Sequence, residues 1–134
     1  GLDIRDVQAD RMGVAKRFAK EHGVTVVLKG SRTVVAQPDG HVFVNPAGNA
    51  GMATAGTGDV LTGIIAGLLA QGAAVGDAAA AGVFLHGLAG DMAVEELGMH
   101  SMLASDLLIH LPQAFRKILG DGGQNGLQVE PCMG

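Results

Sequence analysis

The stretch that most constrains this chain is Asn45-Pro46-Ala47-Gly48-Asn49-Ala50-Gly51-Met52-Ala53-Thr54-Ala55-Gly56-Thr57-Gly58-Asp59, which runs straight into an apolar segment. That segment, from about Asp59 to Gln71, carries Val60, Leu61, Ile64, Ile65, Leu68 and Leu69 at spacings that predict a helix with a buried stripe. Its N-terminus lies near Gly58. The first amides of a helix have no carbonyl partner inside it, and the helix dipole adds partial positive charge there. A phosphate over Gly56, Thr57 and Gly58 would therefore be held by backbone N–H groups, with glycine keeping side chains clear. Asp59 falls in the first turn, where a carboxylate is favoured and could accept a proton from a reacting hydroxyl. The same residues admit a plainer reading, in which Asp59 only caps the helix by accepting its first amides. A cap needs one polar residue, however, and ten positions rich in glycine and alanine are what a loop requires when backbone must approach a ligand.

Around this stretch the pattern predicts an α/β chain. Residues 6–22 place Val7, Val14, Ala15, Phe18 and Ala19 against Arg5, Asp10, Arg11, Lys16, Arg17, Lys20 and Glu21, an amphipathic helix with a solvated charged face and a C-cap at Gly23. His22 reads as a residue of its last turn. Val24 to Lys29 reads as a short strand buried on both faces of a sheet. Thr33–Gln37 and His41–Val44 flank Pro38-Asp39-Gly40 and read as a hairpin, with His41 exposed. Lys29-Gly30-Ser31-Arg32-Thr33 then sits at a strand end, where open α/β sheets place ligand contacts; Lys29 snorkelling and Gly30 serving a turn is the structural alternative. Gly72 closes the helix after Asp59, and Asp77 caps a long one to Leu97. On it His86 reads as a packed, hydrogen-bonded residue and Asp91 as a structural or surface one. Ser105 is the expected N-cap of a helix with Leu107, Leu108, Leu111, Phe115, Ile118 and Leu119, kinked or restarted by Pro112. Residues 120–134 read as a flexible tail, leaving 1–119 as the folded unit.

Composition excludes several classes. Nine Lys and Arg are scattered and the net charge is -4, which argues against a nucleic-acid surface. Cys132 is the single cysteine, so no disulfide framework is available, and a reducing, cytoplasmic setting fits. His22, His41, His86, His100 and His110 show no metal-ligand spacing. The Val60–Val75 stretch is shorter than the roughly 20 residues of a membrane span. Glycine, at 22 residues, is about twice its usual frequency.

Taken together, Val26-Val27-Leu28-Lys29-Gly30-Ser31-Arg32-Thr33, Asn45-Pro46 with Gly48-Asn49-Ala50-Gly51-Met52-Ala53, Gly56-Thr57-Gly58-Asp59-Val60-Leu61-Thr62-Gly63 and Leu85-His86-Gly87-Leu88-Ala89-Gly90-Asp91 resemble the ribokinase-like family, and within it the nicotinamide nucleotide hydrate dehydratases. The resemblance covers roughly residues 1 to 119. It implies a three-layer α/β/α sandwich of which this chain is a C-terminal portion, with further strands preceding Gly1. It implies contacts to ADP or ATP from Lys29, Gly30, Ser31, Arg32 and Thr33 and from Asn49, Ala50, Gly51, Met52, Ala53, Thr54, Ala55, Gly56, Thr57 and Gly58. Asp59 would be the catalytic base and a contact to hydrated NADH or NADPH, with Mg2+ bridging the nucleotide phosphates. A homo-oligomer, with a tetramer favoured, and an epimerase domain or partner acting on the same substrate are implied as well. A small-molecule kinase of the same superfamily, or a nucleotide-binding module without chemistry, would use the same loop.

Overall fold

Three short runs of β-branched and aliphatic residues build an antiparallel sheet: β1 (Val26–Leu28), β2 (Val34–Ala36) and β3 (Val42–Val44), in that spatial order. The register sets Val27 opposite Val35 and Val35 opposite Phe43. Because side chains alternate across a strand, Val26, Leu28, Val34, Ala36, Val42 and Val44 pack with Ala15 and Ala19 on one face. Val27, Val35 and Phe43 meet Leu61, Ile65, Ala79 and Val83 on the other. This is the expected α/β/α layering. The computed structural model describes residues 3–120, so the tail expected at 120–134 lies outside the described residues but for Gly120.

The strand expected to be buried on both faces packs Val26 and Leu28 on one and Val27 on the other, but only half-buries them. β1 is at an edge and its residues are half-buried, whereas central β2 is fully buried, with Val35 at 1 % and Ala36 at 0 % exposure.

The expected helix over 6–22 is two: α1 (Ile4–Ala9) and α2 (Arg11–His22). Asp10 breaks them, its side chain accepting from the Gly13 amide at 3.0 Å as the N-cap of α2. Gly23 closes α2 with φ 65°, as expected. Phe18 is not on the buried face; it is 51 % exposed and stacks on His22 with ring centroids 4.0 Å apart.

Helix α3 (Thr57–Ala70) starts two residues before the expected point, and its stripe is Leu61 and Ile64, flanked by Val60, Ile65 and Leu68, with Leu69 exposed. Helix α4 (Val75–Leu97) is capped at Ala74 and not at Asp77, which lies in the first turn. Gly82 allows close approach to α3, since a Cβ there would lie 2.6 Å from Ile65 Cγ1. Helix α5 (Ala104–Leu119) packs on α4 and α3 through Leu107 and Ala114. Its N-cap is Leu103, whose amide donates to Asp106 Oδ2 at 2.7 Å, so Ser105 is already inside the helix. The helix is continuous through Pro112 without restarting, because Pro112 and Leu108, the residue it would have bonded to, both face solvent. Leu108, Ile118 and Leu119 of the expected buried stripe are exposed.

His110 ties α5 to α4. Its Nδ1 faces the Asp106 carbonyl and its Nε2 faces Glu96 Oε2, each at 2.8 Å, and two acceptors on the two ring nitrogens favour the imidazolium. The Asp106 carbonyl, then the Glu96 carboxylate, raise its pKa above the ordinary value. A raised folded-state pKa means that the pair stabilises fully below the unfolded value of about 6.5 and fades as pH climbs through the folded one. Glu96→Gln should cost less than about 1 kcal/mol at acid pH, since Glu96 is exposed, and should flatten the fall in Tm with rising pH. Thermal melts across that range check this.

Candidate functional site

The glycine-rich stretch is shaped by side chains that bond to its backbone. Asn45, 4 % exposed, donates from Nδ2 to the carbonyls of Ala47 at 2.9 Å and Val83 at 3.1 Å, stitching the end of β3 to α4. Asp91 accepts from the Gly48 amide at 3.0 Å and from Asn49 Nδ2 at 2.8 Å. Asn49 in turn caps a single 3-10 turn, Ala50–Met52, by accepting from the Gly51 amide. Gly87 is where α4 touches this loop: a Cβ there would lie 2.7 Å from the Ala47 carbonyl oxygen. Asp91 thus has the structural role expected of it.

The stretch ends at Gly56, the N-cap of α3, with φ 90° and no side-chain cap. Of the three amides expected to be free, Thr57 N–H is used internally, donating to the Thr54 carbonyl at 3.3 Å. The amides of Gly56 and Gly58 have no backbone acceptor among the described residues. Thr57 is 2 % exposed, and its hydroxyl lies within 2.7 Å of the Met52 carbonyl and 2.9 Å of the Thr54 carbonyl, fixing the turn that presents those amides.

His86 braces the same turn from α4. Its Nε2 donates to the Thr57 carbonyl at 2.8 Å, which leaves Nδ1 as the acceptor of a neutral ring. Burial lowers its pKa; the hydrogen bond to Thr57 opposes this, and the Lys29 charge lowers it further. A lowered value means that the stability contributed by neutral His86 is present above the ordinary imidazole pKa and is lost as pH falls through the folded one. This slope is opposite in sign to that of His110.

Lys29 reaches the same place from the end of β1. A Cβ on Gly58 would lie 2.8 Å from Lys29 Nζ, so the ammonium rests against the first turn of α3. Among the described residues it makes no ion pair. A cation beside the positive end of a helix is unfavourable until an anion joins them.

These elements enclose a cleft of about 670 Å3. Of the expected nucleotide contacts, Lys29, Gly30, Ser31, Thr33, Asn49, Ala50, Met52 and Ala53 line it. Arg32 does not; its side chain is exposed. Gly51 is buried against the Met99 carbonyl, and Thr54, Ala55, Gly56, Thr57 and Gly58 form the head of α3 outside the lining. Asn45, Gly48, His86 and Gly87 also line the cleft and were not assigned to it from sequence, although all four lie within the motifs that carry the resemblance.

Asp59 does not cap α3. Its own amide donates to the Gly56 carbonyl at 3.1 Å, its carboxylate is exposed, and among the described residues it makes no ion pair. It lines a second, apolar groove with Val60, Gly63, Ile64, Leu108 and Leu111, between α3 and α5. Lys29 thus lines the cleft and Asp59 the α3–α5 groove, both beside the first turn of α3. Among the described residues no three His, Cys, Asp or Glu side chains come together as metal ligands, and no helix is long and apolar enough to cross a membrane. Thr57→Val, nearly isosteric, should strip a buried hydroxyl from two carbonyls and lower stability by about 1–3 kcal/mol in denaturant titrations.

Comparison with known proteins agrees with this geometry. A sequence model of the NAD(P)H-hydrate dehydratase family matches residues 2–113. A bifunctional NAD(P)H-hydrate repair enzyme of Moorella thermoacetica is 52 % identical over 118 residues, which is 88 % of this chain and 22 % of that protein. The crystal structure of an ADP/ATP-dependent NAD(P)H-hydrate dehydratase of Bacillus subtilis, co-crystallised with ATP/Mg2+, superposes with a TM-score of 0.84 at 37 % identity, over 87 % of this chain and 42 % of that one. A ribokinase-like superfamily protein of Enterococcus faecalis gives 0.67 at 38 % identity, over 79 % and 36 %. The chain thus spans less than half the length of these relatives. With sequence and fold matching over most of its length, it carries part of a ribokinase-like α/β fold and belongs to the NAD(P)H-hydrate dehydratase family.

Proposed function

We propose that the polypeptide carrying this chain returns hydrated NADH and NADPH to NADH and NADPH at the expense of ADP or ATP, and that the cleft described above takes the nucleotide. The observation that carries the reading is the Lys29 ammonium resting against Gly58 at the head of α3, where the Gly56 and Gly58 amides have no backbone acceptor among the described residues. Phosphoryl transfer asks a protein mainly for positioning and for charge opposite the phosphoryl oxygens, and backbone amides with a lysine supply both. Lys29–Thr33 would line the nucleotide on one side and Asn49–Gly58 on the other. The nicotinamide ring hydroxyl would approach from the Asp59 side, its proton passing to the carboxylate as the oxygen takes the terminal phosphoryl group of ADP or ATP, which leaves as AMP or ADP. Loss of that group as phosphate, with the adjacent proton, restores the ring double bond.

Magnesium would arrive on the nucleotide phosphates, since it keeps phosphate and water ligands readily. When bound it would neutralise phosphate charge. The Bacillus subtilis relative is named for both ADP and ATP and was crystallised with ATP/Mg2+. A cytoplasmic setting, a homo-oligomer and an epimerase activity on the same substrate belong to the same proposal.

Incubating hydrated NADPH with the protein, Mg2+ and ADP or ATP should restore the absorbance of the reduced nicotinamide. Nucleotide consumption without that return would point to a kinase releasing a stable phosphoester, and neither would leave binding alone. Asp59→Asn keeps the shape of the head of α3 and removes the proton acceptor, so turnover should fall about 10²- to 10⁴-fold while nucleotide affinity changes little. A variant working at near wild-type rate would contradict the role of Asp59.

A further inference from the structure

Arg11 has the composition pattern of a solvated helix residue and the position of something else. It is the first residue of α2, placed there because Asp10 stops α1 and caps the next helix. From that point its side chain passes beneath the end of β1. Nη2 donates to the Leu28 carbonyl and Nη1 to the Arg32 carbonyl, each at 2.9 Å. These two carbonyls bracket Lys29, Gly30 and Ser31, three residues that line the cleft. Gly30 lies against the guanidinium so closely that a Cβ on it would run into Arg11. A side chain at position 30 would therefore push the guanidinium out of its place. Arg11 Nε is buried without a partner, and among the described residues Arg11 makes no ion pair. A charged, planar donor spent on two neutral carbonyls is an expensive way to stabilise a helix. It is an effective way to hold both ends of a short loop at a fixed separation, because the guanidinium fork is rigid.

We infer that Arg11 is a positioning residue: by clasping the Leu28 and Arg32 carbonyls around Gly30, it fixes the Lys29–Arg32 loop in the shape that brings Lys29 to the head of α3. The inference rests on the cleft being the nucleotide site, and concerns how this chain preorganises it from the opposite layer of the sheet. Lysine at position 11 keeps the charge and loses the fork. Alanine at position 30 keeps Arg11 and displaces it. The two changes attack one clasp from opposite sides and should have the same effect.

The test compares Arg11→Lys and Gly30→Ala with the wild type by hydrogen–deuterium exchange resolved to the Lys29–Arg32 amides, with β2 amides as the internal reference, and by calorimetric titration with ADP and Mg2+. Faster exchange confined to the loop is expected in both variants, together with a rise in the ADP Kd of about tenfold, the scale of one lost charge-assisted hydrogen bond. Unchanged loop exchange in both variants overturns the inference. So does acceleration of β2 in step with the loop, which would make Arg11 a general support of the fold. If the wild type binds no ADP, the nucleotide reading fails, and loop exchange still decides the clasp. If wild type and variants bind ADP equally while the loop loosens, the clasp does not serve the site and the inference fails.

Discussion

Everything in this structure depends on holding a lysine ammonium against the positive end of a helix. Lys29 lies against the first turn of α3, and among the described residues no carboxylate pairs with it, so an anion entering between the ammonium and the helix end is favoured by both. Such an arrangement persists only if the framework over-determines it. Lys29 is set by the sheet edge and, from beneath, by Arg11. The head of α3 is set by Thr57 inside the turn and by His86 from α4. Neutral His86 fits this role, since a second cation there would add to the repulsion.

The glycines serve the same end. Gly87 lets the Ala47 carbonyl reach α4, and Gly56 turns the chain with φ 90° into α3. The loop between them makes its hydrogen bonds to Asn45, Asp91 and Asn49, so its shape does not require a ligand. Preorganisation of this kind is what makes backbone amides effective toward a developing phosphoryl charge, because no reorganisation is needed when the charge forms.

Much of this was legible in the sequence where the determinants are local. The run from Val26 to Leu28, the Pro38-Asp39-Gly40 turn, the cap at Gly23 and the passage from glycine-rich loop to apolar helix all follow from short-range rules. What the residues could not show depends on contacts distant in sequence. Arg11 reads as solvated because periodicity says nothing about which carbonyls an arginine can reach. Asp10 looks like one more charge on a helix face, yet it ends one helix and begins another. The run from Val24 to Lys29 reads as buried on both faces, yet β1 is only half-buried, because a run of aliphatics does not reveal how much covers it. His86 was expected to be packed and hydrogen-bonded, and it is; that its partner is the turn presenting the open amides comes from the packing of α4 on α3. The sequence reading also joined Asp59 and the lysine loop in one site; Lys29 lines the cleft and Asp59 the neighbouring α3–α5 groove.

The central claim is that the head of α3 and Lys29 form an anion site shaped for nucleotide phosphates. An amide-resolved NMR titration of the protein with ADP and Mg2+ tests it most directly. Saturable shifts are expected at the Gly56 and Gly58 amides and along Lys29–Thr33, with small changes at Val60, Gly63, Leu108 and Leu111. Shifts centred on that α3–α5 groove, with Gly56, Gly58 and Lys29 unmoved at saturating nucleotide, would contradict it.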